Sequence, residues 1–190
     1  MKGEAVRLTK LLEGSKTRFI IPVYQRNYDW KIEQCTRLFD DLEELVEEGR
    51  RSHFFGSIVS VAIDDERVVI DGQQRITTTF LLLQALVRSV ESGFCTARSG
   101  RLVERVHDEY LIDRYSEGEE SLKVKLKLVK ADQAAFSAVF TGDEGSLVEG
   151  SNVTSNYRYF LRRIEQSRLG ADEILEAIEG GTYKPGDRLV

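Results

Sequence analysis

The segment from Gln73 to Ser92, QQRITTTFLLLQALVRSVES, constrains the fold more than any other. Its middle carries Phe80, Leu81, Leu82, Leu83 and Leu86, so apolar side chains cover much of a helical circumference rather than one stripe. A helix of that kind cannot lie on a surface and belongs at the centre of a domain. Just before it, Arg67–Ile70 reads RVVI, a β-branched strand closed by Asp71 and Gly72. The chain thus runs strand, tight turn, central helix.

The other elements must cover that helix. Ala5–Leu12 is a short apolar segment that fits a strand or a helical turn, and RFIIPVY (Arg18–Tyr24) reads as a strand whose end Pro22 places outside the ladder. Ile32, Cys35, Leu38, Phe39, Leu42, Leu45 and Val46 recur at helical spacing, with Asp29 as N-cap and Gly49 as stop. His53–Ile63 is expected to be one buried strand, paired as a hairpin with Arg67–Ile70. Strict alternation in SLKVKLKLV (Ser121–Val129) predicts a half-buried strand, and a short helix with a glycine stop follows. From Ser151 to about Gly180 two helices are expected, and the ending GGTYKPGDRLV reads as a connector toward something further on. The residues alone give a single α+β domain, without repeats or low-complexity linkers.

Composition narrows the class. With 41% hydrophobic and 31% charged residues, the 190-residue chain has the balance of a globular domain. No apolar run nears the ~18 residues of a membrane span, and the N-terminus lacks a secretory h-region. No membrane association is expected. Cys35 and Cys95 make no disulfide framework, so a reducing cytoplasm is the expected compartment. The net charge of -5 excludes a uniformly basic nucleic-acid binder but leaves local basic surfaces at Arg26, Lys123–Lys130 and Arg158–Arg163. His53 and His107, the only histidines, have no partners at metal-ligand spacing, so neither zinc nor a redox cofactor is expected.

Two constellations can carry chemistry. In VVIDGQQRITTT, a helix starting at Gly72 or Gln73 directs unpaired N–H groups and a positive dipole end outward. Arg75 adds a fork suited to phosphate oxygens, Gly72 permits close backbone approach, and Gln73 and Gln74 can bind a base, a sugar or an attacking water. Asp71 either caps the helix or holds a divalent metal against a phosphate. From spacing alone a purely local role, with cap, turn and exposed first-turn amides, fits slightly better. The stretch is neither a Walker A loop nor a G-x-G-x-x-G fingerprint. The second constellation, IPVYQRNYDW, sets Tyr24, Tyr28 and Trp30 beside Gln25 and Arg26, which suits stacking on bases or gripping phosphates, and core packing as well.

Together, IPVYQRNYDW, HFFGSIV and IDGQQRITTTFLLLQAL, in this order, resemble the N-terminal domain of the GmrSD-type restriction endonucleases, which include the SspE-type and BrxU-type anti-phage proteins. KLKLVKADQAAF and NYRYFLRRI extend the resemblance from about Leu8 to Ile164. It implies a ParB/sulfiredoxin-like small mixed sheet flanked by helices over residues 1–150, with a helical extension over 151–190 leading toward a further C-terminal region. It also implies that the domain binds and hydrolyses a nucleoside triphosphate (GTP, UTP or ATP) with Mg²⁺, in modification-dependent restriction of phage DNA. By that resemblance Asp71, Gln73, Gln74 and Arg75 are the catalytic candidates, and Asp71 the magnesium ligand. Gly72, Arg75, Arg26, Tyr24 and Gln25 would bind the nucleotide, and Tyr24, Gln25, Arg26 and Tyr28 would sense DNA or its modification. No His-Asn-His pattern follows Ile164, so the nuclease partner is expected beyond this sequence or on a second chain, and a homo-oligomer is compatible. The alternative is a ParB-like module that binds DNA or a modified phosphate and hydrolyses nothing.

Overall fold

The computed structural model describes residues 6–12, 18–50, 53–64, 66–115 and 123–184. Its order is β1 (Val6–Arg7), α1 (Leu8–Leu12), β2 (Arg18–Ile20), α2 (Ile32–Glu47), β3 (His53–Ser57), β4 (Val59–Ile63), β5 (Glu66–Asp71) and α3 (Gln73–Glu91). Then come α4 (Leu102–Val106), a π-helical turn (His107–Leu111), β6 (Leu126–Lys127), α5 (Lys130–Thr141), α6 (Asn152–Gln166), α7 (Ala171–Glu179) and β7 (Gly181–Lys184). The architecture is α+β.

Helix α3 lies where its composition requires. Fifteen of its side chains are buried, including Phe80, Leu82 and Leu86, and a single hydrophobic cluster joins it to α2, α5, α6 and α7. A four-stranded mixed sheet, ordered β4-β5-β2-β6, delivers the chain to the start of α3: β4 and β5 are antiparallel, and β2 runs parallel to both β5 and β6. Val69 of β5 and Phe19 of β2 are fully buried and fix the sheet to the core.

Four expectations need correction. The run His53–Ile63 is two strands in different sheets, because the bulge at Gly56 turns the chain before β4. β3 joins β7 and β1, and β4 is not buried, since Val61 and Ile63 are more than half exposed. In the alternating segment only Leu126–Lys127 forms a ladder, and Lys125 faces inward, where its Nζ donates to the Glu109 carbonyl at 2.7 Å. Residues 121–122 lie outside the described residues. Asp29 does not cap α2, which begins two residues after Trp30 at Ile32, and its backbone N–H goes elsewhere. Finally, the expected connector contains β7, which pairs with both β1 and β3. Gly181–Lys184 is short and has no alternation, so its sequence carries no strand signal.

Candidate functional site

β5 ends at Asp71, which is exposed, and the turn into α3 falls on Gly72 at φ 87°. A side chain there would be strained, and its Cβ would also sit 2.6 Å from the Ser57 carbonyl oxygen and 2.8 Å from Ile58 Cγ1. The turn is therefore pressed against the hinge between β3 and β4. This contact aims the first turn of α3 at the loop that follows β2.

The two glutamines fill the space between helix and loop. Gln74 Oε1 accepts from the backbone N–H groups of Asp29 (2.9 Å) and Trp30 (3.1 Å), and its Nε2 donates to the Asn27 carbonyl at 3.0 Å. Gln73 Nε2 donates to the Arg26 carbonyl at 3.0 Å. Gln25 returns the contact, donating to the Ile70 carbonyl at 2.8 Å. An amide both donates and accepts, so it can replace a missing strand partner for an irregular loop. Buried as they are, Gln73 and Gln74 join VVIDGQQRITTT to IPVYQRNYDW.

Tyr28 anchors the same loop from inside. Its hydroxyl lies 2.6 Å from Thr78 Oγ1 and accepts from Asn156 Nδ2 at 2.9 Å, while Asn156 Nδ2 also donates to the Trp30 carbonyl at 2.8 Å. The Tyr28 N–H donates to Asp132 Oδ2 at 2.7 Å, and Asn152 Nδ2 donates to the Tyr28 carbonyl at 3.3 Å. Burial drives the Tyr28 phenol well above its usual range, so it stays neutral. Burial also pushes the neighbouring Cys35 thiol up to about 12, which excludes a thiolate at neutral pH.

What the network holds outward is Tyr24, 73% exposed, and Arg26, exposed and without an ion-pair partner among the described residues. Arg75 is half-buried, its Nη1 donating to the Ser57 carbonyl at 3.2 Å. Its guanidinium lies across Gly56, where a Cβ would come within 2.4 Å of Arg75 Nε. Gly56 was thus a missed site residue, signalled by a lone glycine in an apolar strand run. Asp132, Asn152 and Asn156 were missed as well, with no local signal to find them. Between Arg26, Gln73, Thr77 and Asp132 runs a crevice of about 10 Å³, room for one water.

A family model for the N-terminal domain of GmrSD restriction endonucleases matches residues 8–179. The chain belongs to this family. Comparison with curated proteins gave no match. For this GmrSD domain the family places the chain in a restriction, and hence defence, system. The matched span takes in both joined motifs and helices α5 and α6, whose Asp132, Asn152 and Asn156 hold the loop. Among the described residues no three His, Cys, Asp or Glu side chains gather as a metal site, and no helix is long and apolar enough to cross a membrane. Of the basic stretches, Arg158 and Arg163 are paired with Glu144, Glu149, Asp40 and Glu43. At the motifs, neither Arg26 nor Arg75 has an ion-pair partner among the described residues.

Proposed function

We propose that this GmrSD domain binds a nucleoside triphosphate with Mg²⁺ and hydrolyses it, and that the outcome regulates a DNA nuclease in modification-dependent restriction. The observation that carries this reading is the N-terminus of α3 with Arg26 beside it at the crevice, where Arg26 has no ion-pair partner among the described residues; Arg75 adds positive charge on the hinge side of the same turn. Helix α3 has 19 residues, so its dipole and unpaired N–H groups are fully developed at Gly72 to Gln74. Arg26 holds phosphate oxygens from the loop, Tyr24 offers a ring face to the base, and the glutamines keep both at a fixed distance from α3. A magnesium ion on a triphosphate takes one or two carboxylates and the phosphates themselves, and Asp71, exposed beside the turn, fits the protein share. Bound there, the ion would neutralise charge on the phosphates.

The test is phosphate release from GTP, UTP and ATP with Mg²⁺, alongside nucleotide affinity. Arg26→Ala, which removes no intramolecular ion pair, should weaken affinity about tenfold, the effect of one charge-assisted contact, with an unchanged melting temperature. Absence of release and of binding with all three nucleotides overturns the reading.

One observation favours a second reading. The platform of Tyr24 and Arg26 is open, and no nucleotide-sized cavity encloses it among the described residues. An open cationic and aromatic surface also fits a DNA backbone or a modified phosphate in a ParB-like module that hydrolyses nothing. Under that reading Arg26→Ala weakens DNA binding in a salt-dependent way and no nucleotide is turned over.

A further inference from the structure

Hydrolysis needs a water and a group to take its proton, and the residues expected from the sequence supply neither. Gln74 has both amide atoms engaged with the loop backbone, and Gln73 has its nitrogen engaged. Asp71 lies outside, at the exposed end of β5. The crevice between the loop, α3 and the start of α5 has the volume of a single water, not of a nucleotide. Three titratable side chains line it: Arg26, Tyr28 and Asp132. An arginine is always protonated, and the Tyr28 phenol is neutral and already bound to Thr78 and Asn156. Only Asp132 can accept a proton there.

Asp132 is also held for such a task. One carboxylate oxygen is fixed by the Tyr28 N–H, while the other accepts no hydrogen bond and the group has no cation partner among the described residues. It sits in the first turn of α5, so two helix N-termini, those of α3 and α5, meet at the crevice with Arg26 at its rim. We infer that Asp132 is the general base of this site, receiving a proton from a water held beside Gln73. The inference rests on the nucleotide-hydrolysing reading above. In the step, the water oxygen bonds to the γ-phosphorus and the bond from that phosphorus to the β–γ bridging oxygen breaks. The diphosphate leaves with the bridging oxygen, and the water's proton passes to the free oxygen of Asp132, which later returns it to solvent. Facing Asp132 are Arg26, Tyr28 and Asp29; burial first, then the like charge of Asp29, raises its carboxyl above the usual range, against the Tyr28 N–H. A raised value brings a base nearer its working pH.

Asp132→Asn separates chemistry from scaffolding, because the Asn carbonyl oxygen can still accept from the Tyr28 N–H. Turnover should fall about 100-fold or more, while the melting temperature and the affinity for a non-hydrolysable triphosphate stay near those of the unaltered protein. Asp132→Glu should recover part of the rate. In the unaltered protein turnover should decline as pH falls through the raised Asp132 value, and the residual rate of Asp132→Asn should lack that limb. If the unaltered protein turns over nucleotide and Asp132→Asn matches it, or loses binding along with rate, the base assignment is overturned and the hydrolase reading stands. If the unaltered protein has no turnover, both fall.

Discussion

The two ends of α3 are held in opposite ways. At its N-terminus the neighbours are bound by neutral groups: Gln73 and Gln74 to the loop backbone, Tyr28 to Thr78 and Asn156. At its C-terminus charged groups take over: Arg88 pairs with Glu91 of the same helix and donates to the Gly142 carbonyl, and Arg158 of α6 pairs with Glu144 and Glu149 nearby. The C-terminal end also has the larger hollow of the two, about 230 Å³ lined by Arg88, Tyr157 and Arg162, whereas the N-terminal crevice has room for one water. Neutral amides do the holding beside the motifs, so the charges there (the helix dipole, Arg26 and Asp132) are not spent on one another and stay available to a ligand. Of the charged groups lining the hollow at the far end, Arg88 is paired with Glu91 and Glu144 with Arg158.

The sharpest way to break this comparison is at Gly72. An alanine there must adopt φ 87° and place its Cβ against the Ser57 carbonyl oxygen, so Gly72→Ala should cost about 3 kcal/mol from left-handed strain plus overpacking. Urea denaturation should show a lower midpoint with an unchanged slope. A variant as stable as the parent would mean that the turn does not set the aim of α3.

Asn156 tests the neutral ties themselves. Its Nδ2 serves both the Tyr28 hydroxyl and the Trp30 carbonyl in a fully buried setting. Asn156→Ala leaves the Trp30 carbonyl without its donor and opens space, an expected loss of about 2 kcal/mol. Tyr28→Phe should cost less, about 1 kcal/mol, because Thr78 and Asn156 each keep a backbone partner. A double-mutant cycle between the two should show coupling, since they share one hydrogen bond.

These residues also show where the sequence stops being informative. Helix α3 was legible because apolar side chains around a whole circumference admit only one environment, and α5, α6 and α7 carried ordinary helical periods. Both motifs were legible as unusual, and their joining was not. Asp132, Asn152 and Asn156 lie 104, 124 and 128 positions from Tyr28, and on an amphipathic helix a polar residue reads as solvent-facing until its neighbour is known. Lys125 failed for a related reason. Alternation sends it outward, but its ammonium is drawn inward to the Glu109 carbonyl at the π-helical turn. There burial lowers its pKa below the usual lysine value. From the sequence the amides of Gln73 and Gln74 either reach for a ligand or stand exposed in the first turn, and only the fold reveals that both are buried against a loop backbone.

The smallest effect belongs to the ionic end. Arg88 is 40% exposed, and its partner Glu91 is 41% exposed, so solvent screens the pair. Its one sheltered contact is the hydrogen bond to the Gly142 carbonyl, which follows the last turn of α5. Arg88→Ala should therefore cost about 1 kcal/mol, and the difference from the parent should shrink in molar salt. Asn156→Ala, breaking only neutral hydrogen bonds, should show a loss that salt leaves almost unchanged. If both respond to salt alike, the contrast between the two ends of α3 fails; if only Arg88→Ala does, the helix has one end insulated from ionic strength. A site that must keep a fixed shape while a charged ligand arrives gains from being built at the insulated end.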